Sequence, residues 1–201
     1  MIKAGVKTYL SINHSGTLMI SGEWGSGKSY FVKHELLPYI STIEWSAKED
    51  ESSSFTGEIL KIVHNSSFDK AKFFPVMVSV FGKNKTSEIE ASIIEYWLNK
   101  NTNGTVEKLE KISDGIGKLW NRSEKLKSWF DMSEVLDFKP KIKINELPRN
   151  TVIILDDLER VSEDIQDVDL MGFINNLSEN LGFKVILIAN EEYFDDQHKK
   201  Q

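Results

Sequence analysis

Two groups of residues in this chain carry chemistry. The first is Gly22-Glu23-Trp24-Gly25-Ser26-Gly27-Lys28-Ser29, which packs three glycines, a lysine and two hydroxyls into eight residues. Phosphate oxygens are held best by several backbone N–H groups aimed at one point. Only a tight loop with little side-chain bulk presents them that way. Lys28 adds a mobile ammonium, and Ser29 adds a hydroxyl suited to a hard, oxygen-seeking cation such as Mg2+. The second group is Val152–Asp157, four apolar residues that end in the paired carboxylates Asp156 and Asp157. A buried strand that delivers acids at its C-terminal end places them where open α/β sheets bind ligands. Two solvated aspartates at a strand end would explain that pair alone; beside the glycine loop, a joint site explains both.

The first group matches G-x-x-x-x-G-K-S/T, the Walker A loop, and the second has the form of a Walker B strand. The match matters because of its context. The apolar run Thr17–Ser21 precedes the loop and a helical pattern over Lys28–Leu37 follows it. The helix start adds its own unpaired N–H groups and the positive end of its dipole. The expected cofactors are ATP and Mg2+. Gly22, Glu23, Trp24, Gly25, Ser26, Gly27, Lys28, Ser29 and Tyr30 are expected to hold the nucleotide, and Ser29 and Asp156 the metal. Asp157 is expected to orient or deprotonate the attacking water, with Glu159 a less favoured substitute.

Several further residues have two readings each. Asn190 closes the apolar run Lys184–Ala189; it either senses the terminal phosphate or simply ends a strand. Arg160 either pairs locally with Glu159 or Asp157 or faces a partner subunit's nucleotide. Trp24 sits where such loops usually carry a small or polar residue, and it either packs on the sheet edge or shields the phosphates. His14, His34, His64 and His198 lack metal-ligand spacing, and Trp45, Trp97, Trp120 and Trp129 read as packing residues.

The elements that must position these residues follow from hydrophobic patterning. Thr17–Ser21, Val76–Phe81, Val152–Leu155 and Lys184–Ala189 are short β-branched apolar runs without alternation, as in strands buried on both faces of a parallel sheet. Between them lie helical patterns. Lys28–Leu37 is expected to end at Pro38. Glu88–Leu98 carries Ile89, Ile93, Tyr96 and Trp97 on one face, with Ser87 and Glu90 placed as a capping box. Leu170–Leu181 is followed by Gly182 as C-cap. A weak helix is expected around Glu58–His64 after the polar loop Lys48–Ser54, and a short edge strand over Lys139–Ile144. Val106–Phe130 has near-heptad spacing and reads as an amphipathic helix or helix pair on the sheet, or else as a partner-binding helix; Gly115 and Gly117 weaken both readings. The expected fold is a three-layer α/β P-loop domain with a mainly parallel sheet in the order 1-4-3-2. A helical insert at about 100–150 separates the two Walker motifs, and a fifth strand is missing or atypical.

Composition narrows the function classes. The chain has 201 residues, 40% hydrophobic and 28% charged, which suits one soluble globular domain over 1–201. With 25 basic and 31 acidic residues its formal charge is −6, so nucleic-acid coating is not indicated. With no cysteine there is no disulfide framework, thiolate metal site or cysteine nucleophile. The N-terminus lacks a signal-peptide h-region, and no apolar run is long enough to span a bilayer. The expected location is cytoplasmic, with any membrane contact made through a partner.

GEWGSGKS, IILDDLER, PVMVSVFGKNKTSEIE and FINNLSENLGFKVILIANEE together resemble the KAP family of P-loop NTPases, in the same broad division as the AAA+ and STAND ATPases. Trp24 in the loop and Asp156, Asp157, Leu158, Glu159 and Arg160 match the family pattern. The resemblance covers about half the chain. It implies an ATPase within a larger bacterial assembly, often in membrane-associated signalling or anti-phage defence, with a protein partner or a homo-oligomer. Many members carry transmembrane helices between the Walker motifs, and this chain does not. It also ends soon after Asn190, which reads as a C-terminal truncation relative to the family. Three functions follow as expectations: an ATP hydrolase working as a conformational or assembly switch, an ATP-gated interaction module with little turnover, or a small-molecule kinase. Three arginines in all are thin supply for a kinase lid.

Overall fold

A computed structural model of the chain describes residues 1–12, 16–45, 72–102 and 143–190. Four strands form the described sheet: β1 (Thr17–Ser21), β2 (Phe74–Ser79), β3 (Thr151–Asp156) and β4 (Lys184–Ala189). Their order is β1-β4-β3-β2, and every pairing is parallel. The order is the expected one. β2 begins and ends two residues earlier than its apolar run suggests, and Val80 still donates to the Asp156 carbonyl beyond its end.

Strand alternation sorts the core into two faces. On one face Val76, Val78, Ile153, Leu155, Val185 and Leu187 pack against α3 (Thr86–Thr102) and α4, which runs as an α-helix over Asp167–Asn175 and then as a π turn over Asn176–Asn180. On the other, Ile20, Met77, Val152, Ile154, Ile186 and Ile188 pack against α1 (Ile2–Ser11) and α2 (28–40). Helices on both faces of a parallel sheet make the three-layer α/β fold.

α2 differs from expectation. It opens as an α-helix at Lys28–Phe31, widens into a π turn over Val32–Leu36 and resumes over Leu37–Ile40, so Pro38 lies within it. The Leu37 N–H reaches back to the Val32 carbonyl, and the wider turn leaves room for a ring that has no N–H to donate. Val32, Leu36 and Ile40 are fully buried, and that apolar stripe keeps the chain helical past the proline.

α3 starts at Thr86, so Ser87 and Glu90 fall inside the helix instead of forming a capping box. Glu88 accepts from the Asn84 N–H at 3.1 Å and takes the capping role. Ile89, Ile93 and Trp97 are buried as their spacing implies. Gly182 ends α4 at a φ of 72°, and the Phe183 N–H returns to the Leu177 carbonyl at 3.0 Å.

Helix α1 has no counterpart in the sequence reading. Val6 and Leu10 bury its inner face. The Tyr9 hydroxyl accepts from the Val185 N–H at 2.9 Å and shares its proton between the Gly16 and Val185 carbonyls at 2.8 and 3.0 Å. Burial pushes the phenol up to about 12, against the pull of its backbone partner at Val185. The Lys184 ammonium binds the carbonyls of Tyr9 and Ile12 at 3.2 and 2.6 Å, where the C-terminal end of α1 favours a cation.

Ile144 lies in a short 3-10 turn (Ile144–Glu146), not in an edge strand; residues 139–142 lie outside the described residues. So do the expected Lys48–Ser54 loop, the Glu58–His64 helix, the Val106–Phe130 pattern, His14, His64, His198, Arg122, Trp120 and Trp129.

Candidate functional site

The glycine loop joins β1 to α2 and needs backbone shapes that side chains resist. Gly25 and Gly27 sit at φ 78° and 84°, and Gly27 is the left-handed residue directly before Lys28. A side chain at either would strain the loop that aims its N–H groups inward. The loop also holds itself in shape: the Ser26 N–H donates to the Glu23 carbonyl at 3.3 Å, and the Lys28 ammonium donates to the Gly22 and Glu23 carbonyls.

The carboxylates arrive from β3, which β4 separates from β1. Asp156 is its last residue and only 4% exposed. Burial pushes the carboxyl above the ordinary carboxylate range and the nearby Asp157 charge adds to the push, while a hydrogen bond from the Ser29 hydroxyl, one from the Asp157 N–H at 3.0 Å and the charge of Lys33 pull the other way. Ser29 and Asp156, far apart in sequence, are therefore neighbours in the site.

Asp157 turns off the strand at φ 61°, alone among the described non-glycine residues in having a positive φ. That conformation costs on the order of 1 kcal/mol or more and is commonest for Asn and Asp. It carries the carboxylate away from Asp156 and toward β2, where the Ser79 hydroxyl donates to it at 2.7 Å. Arg160, in the 3-10 turn Leu158–Arg160, lies 3.9 Å from the other Asp157 oxygen. Its guanidinium stacks at 3.8 Å on the Phe81 ring and 5.4 Å from the Trp24 ring. Trp24 thus faces an arginine, and with 63% exposure it does not pack on the sheet edge.

Asn190 ends β4 between β1 and β3 and is buried. Its backbone N–H donates to Glu159 at 3.2 Å, which draws Glu159 toward β4. Trp97 is buried in the core and Trp45 packs against the α1–α2 side, whereas His34 lies on the surface against Tyr30.

A cavity of about 250 Å³ lies over these groups, lined by Trp24, Gly25, Gly27, Lys28, Ser29 and Tyr30 of the first motif and by Asp156, Asp157, Glu159 and Arg160 of the second; β4 contributes Ile188. Both halves read from the sequence meet at one hollow. Ser79 and Phe81 were not picked out from the sequence. Their importance comes from the adjacency of β2 and β3, although a serine closing an apolar strand beside the acidic one is the cue that marks Ser79.

The donor set fits a Mg2+-bound triphosphate. A hydroxyl and a carboxylate side by side supply the oxygens that Mg2+ prefers, and it usually completes its shell with waters and phosphate oxygens. Glycines at positive φ, followed by a helix start and a lysine, supply the anion cradle. No described helix is long and apolar enough to cross a membrane.

Neither a curated protein nor a solved structure matches the chain. The sequence profile of the KAP family P-loop domain matches residues 6–201, nearly the whole length. With the loop, the strand acids and the parallel sheet of a nucleotide-binding fold already in place, that match makes this chain a member of the KAP family of P-loop domains.

Proposed function

We propose that this chain binds Mg-ATP over Gly22–Ser29 and hydrolyses it as a conformational or assembly switch. The observation that carries the reading is that Ser29 and Asp156 lie side by side in the lining of a cavity that Lys28 and Asp157 also line. Bound Mg2+ would neutralise phosphate charge and polarise the terminal phosphoryl group. Ser29 and Asp156 would hold it. Lys28 exchanges its loop carbonyls for phosphate oxygens. Asp157 accepts a hydrogen bond from the attacking water and orients it. Arg160 offers positive charge beside Asp157, and Asn190, at the end of β4, is the sensor of the terminal phosphate. The assembly served is of the bacterial signalling or anti-phage kind that the family resemblance suggests, with a protein partner or further copies of the chain.

A second reading, an ATP-gated interaction module with little turnover, has one observation in its favour. Both Asp157 oxygens already have partners, Ser79 and Arg160, and a carboxylate so engaged has less freedom to turn toward an attacking water.

Phosphate release from Mg-ATP separates the two. Wild type is expected to release phosphate. Asp157→Asn, which keeps the left-handed backbone, is expected to bind ATP but release at least about a hundredfold less. Lys28→Ala is expected to bind ATP poorly. A wild type that binds ATP yet releases no more than Asp157→Asn sinks the hydrolase and leaves the module.

A further inference from the structure

A cavity of about 250 Å³ is smaller than the roughly 300–1,000 Å³ that encloses a drug-sized ligand. It suits a phosphate chain, so the nucleoside must emerge over its rim. Two features fix the side of emergence. Asp157, Arg160 and Phe81 gather at the β3–β2 side and mark the end where the terminal phosphate reacts. The other end follows from α2. Ser29 turns to Asp156, Lys28 turns to the loop carbonyls, and Tyr30, two residues after Lys28, leaves the helix about 200° round from it. Tyr30 therefore leaves the helix start away from the lysine, where a nucleoside emerging over the rim would meet its ring.

Its surroundings match that position. The Tyr30 ring lines the cavity but is 70% exposed, a large aromatic face turned to water beside a polar cradle. One helical turn on, the His34 imidazole backs it, with ring centroids 4.3 Å apart and planes 36° from parallel. An i, i+4 aromatic pair limits the ring's rotamers, and a stiff ring stacks a flat partner at lower entropic cost.

We propose that Tyr30, braced by His34, is the stacking platform for the nucleobase. The proposal rests on the phosphate-cradle reading of Gly22–Ser29 and adds the contact that distinguishes a nucleotide from a bare polyphosphate. Stacking engages the base face and not its edges, so the platform favours purines without choosing between adenine and guanine.

The test is calorimetric titration of the full chain in Mg2+ with two probes, ATP and inorganic tripolyphosphate. Tyr30→Ala is expected to weaken ATP about tenfold while leaving tripolyphosphate within about twofold, and Tyr30→Phe is expected to restore ATP affinity. Unchanged tripolyphosphate binding also reports that the variant is folded. If Tyr30→Ala binds ATP as wild type does, or loses both probes equally, the platform is overturned and the cradle stands. If wild type binds neither probe, the cradle reading falls and takes the platform with it.

Discussion

Asp156 and Asp157 are chain neighbours with opposite circumstances. Asp156 is buried on the strand, and Asp157 is swung out by a left-handed backbone onto the Ser79 hydroxyl. Because the folded Asp156 carboxyl is pushed up, the folded state binds its proton more tightly than the unfolded chain does. Its contribution is present below the ordinary carboxylate range and is lost as pH rises through the raised value, so at neutral pH the ionised form is a liability. Asp156→Asn keeps an acceptor oxygen for the Asp157 N–H and places an amide N–H where the Ser29 hydroxyl oxygen can accept it. It is expected to raise the melting temperature of the ligand-free protein at pH 7 while removing the extra stabilisation by Mg2+ over nucleotide alone, both read by thermal denaturation. Ser79→Ala should leave ATP affinity nearly unchanged and lower phosphate release several-fold by loosening Asp157; Ser79→Thr should recover it. The loop glycines, Lys28 and the aspartates were legible because their chemistry is local in sequence. Ser79 and Phe81 were not, since their meaning depends on which strand lies beside β3.

At the level of elements, the strands could be read because both faces are covered and continuous apolar runs result. Helix α1 escaped because it buries only Val6 and Leu10 and contains Gly5, too sparse a stripe to stand out. Tertiary hydrogen bonds hold it. Tyr9→Phe removes the hydroxyl that serves Val185 and Gly16, and is expected to cost about 1–3 kcal/mol in chemical denaturation. The alkaline limb carries a second signature. An unfolded tyrosine ionises near 10 and the folded Tyr9 at about 12, so wild-type stability falls as pH rises through that window, and the Phe variant should lack this part of the slope. The passage of α2 through Pro38 was hidden for a different reason: a π turn leaves no mark in propensity, and only the burial of Val32, Leu36 and Ile40 on either side of the proline explains the continuation.

For the molecule as a whole, the order β1-β4-β3-β2 places the β1 loop and the β3 acids one strand apart, with β4 between them. Ligand binding and global stability are therefore coupled through the central strands. Mg-ATP at a hundred times its dissociation constant should add about 2.7 kcal/mol to unfolding of the wild type, and Lys28→Ala should lose most of that gain. Ile154→Ala, in the buried middle of β3, should cost about 2–5 kcal/mol whether or not nucleotide is present. A core lesion and a site lesion then differ in whether ligand changes the deficit.

The Arg160 stack has an optical consequence. The guanidinium lies against Trp24 of the loop and Phe81 beyond β2, so the indole and the second acidic motif share one contact. Any event that draws Arg160 toward phosphate uncovers the indole face and should shift its emission to the red. The difference spectrum between wild type and Trp24→Phe isolates that one fluorophore from the other four tryptophans. The chain thus carries its own reporter, and stopped-flow fluorescence can time the movement of Arg160 without an attached dye.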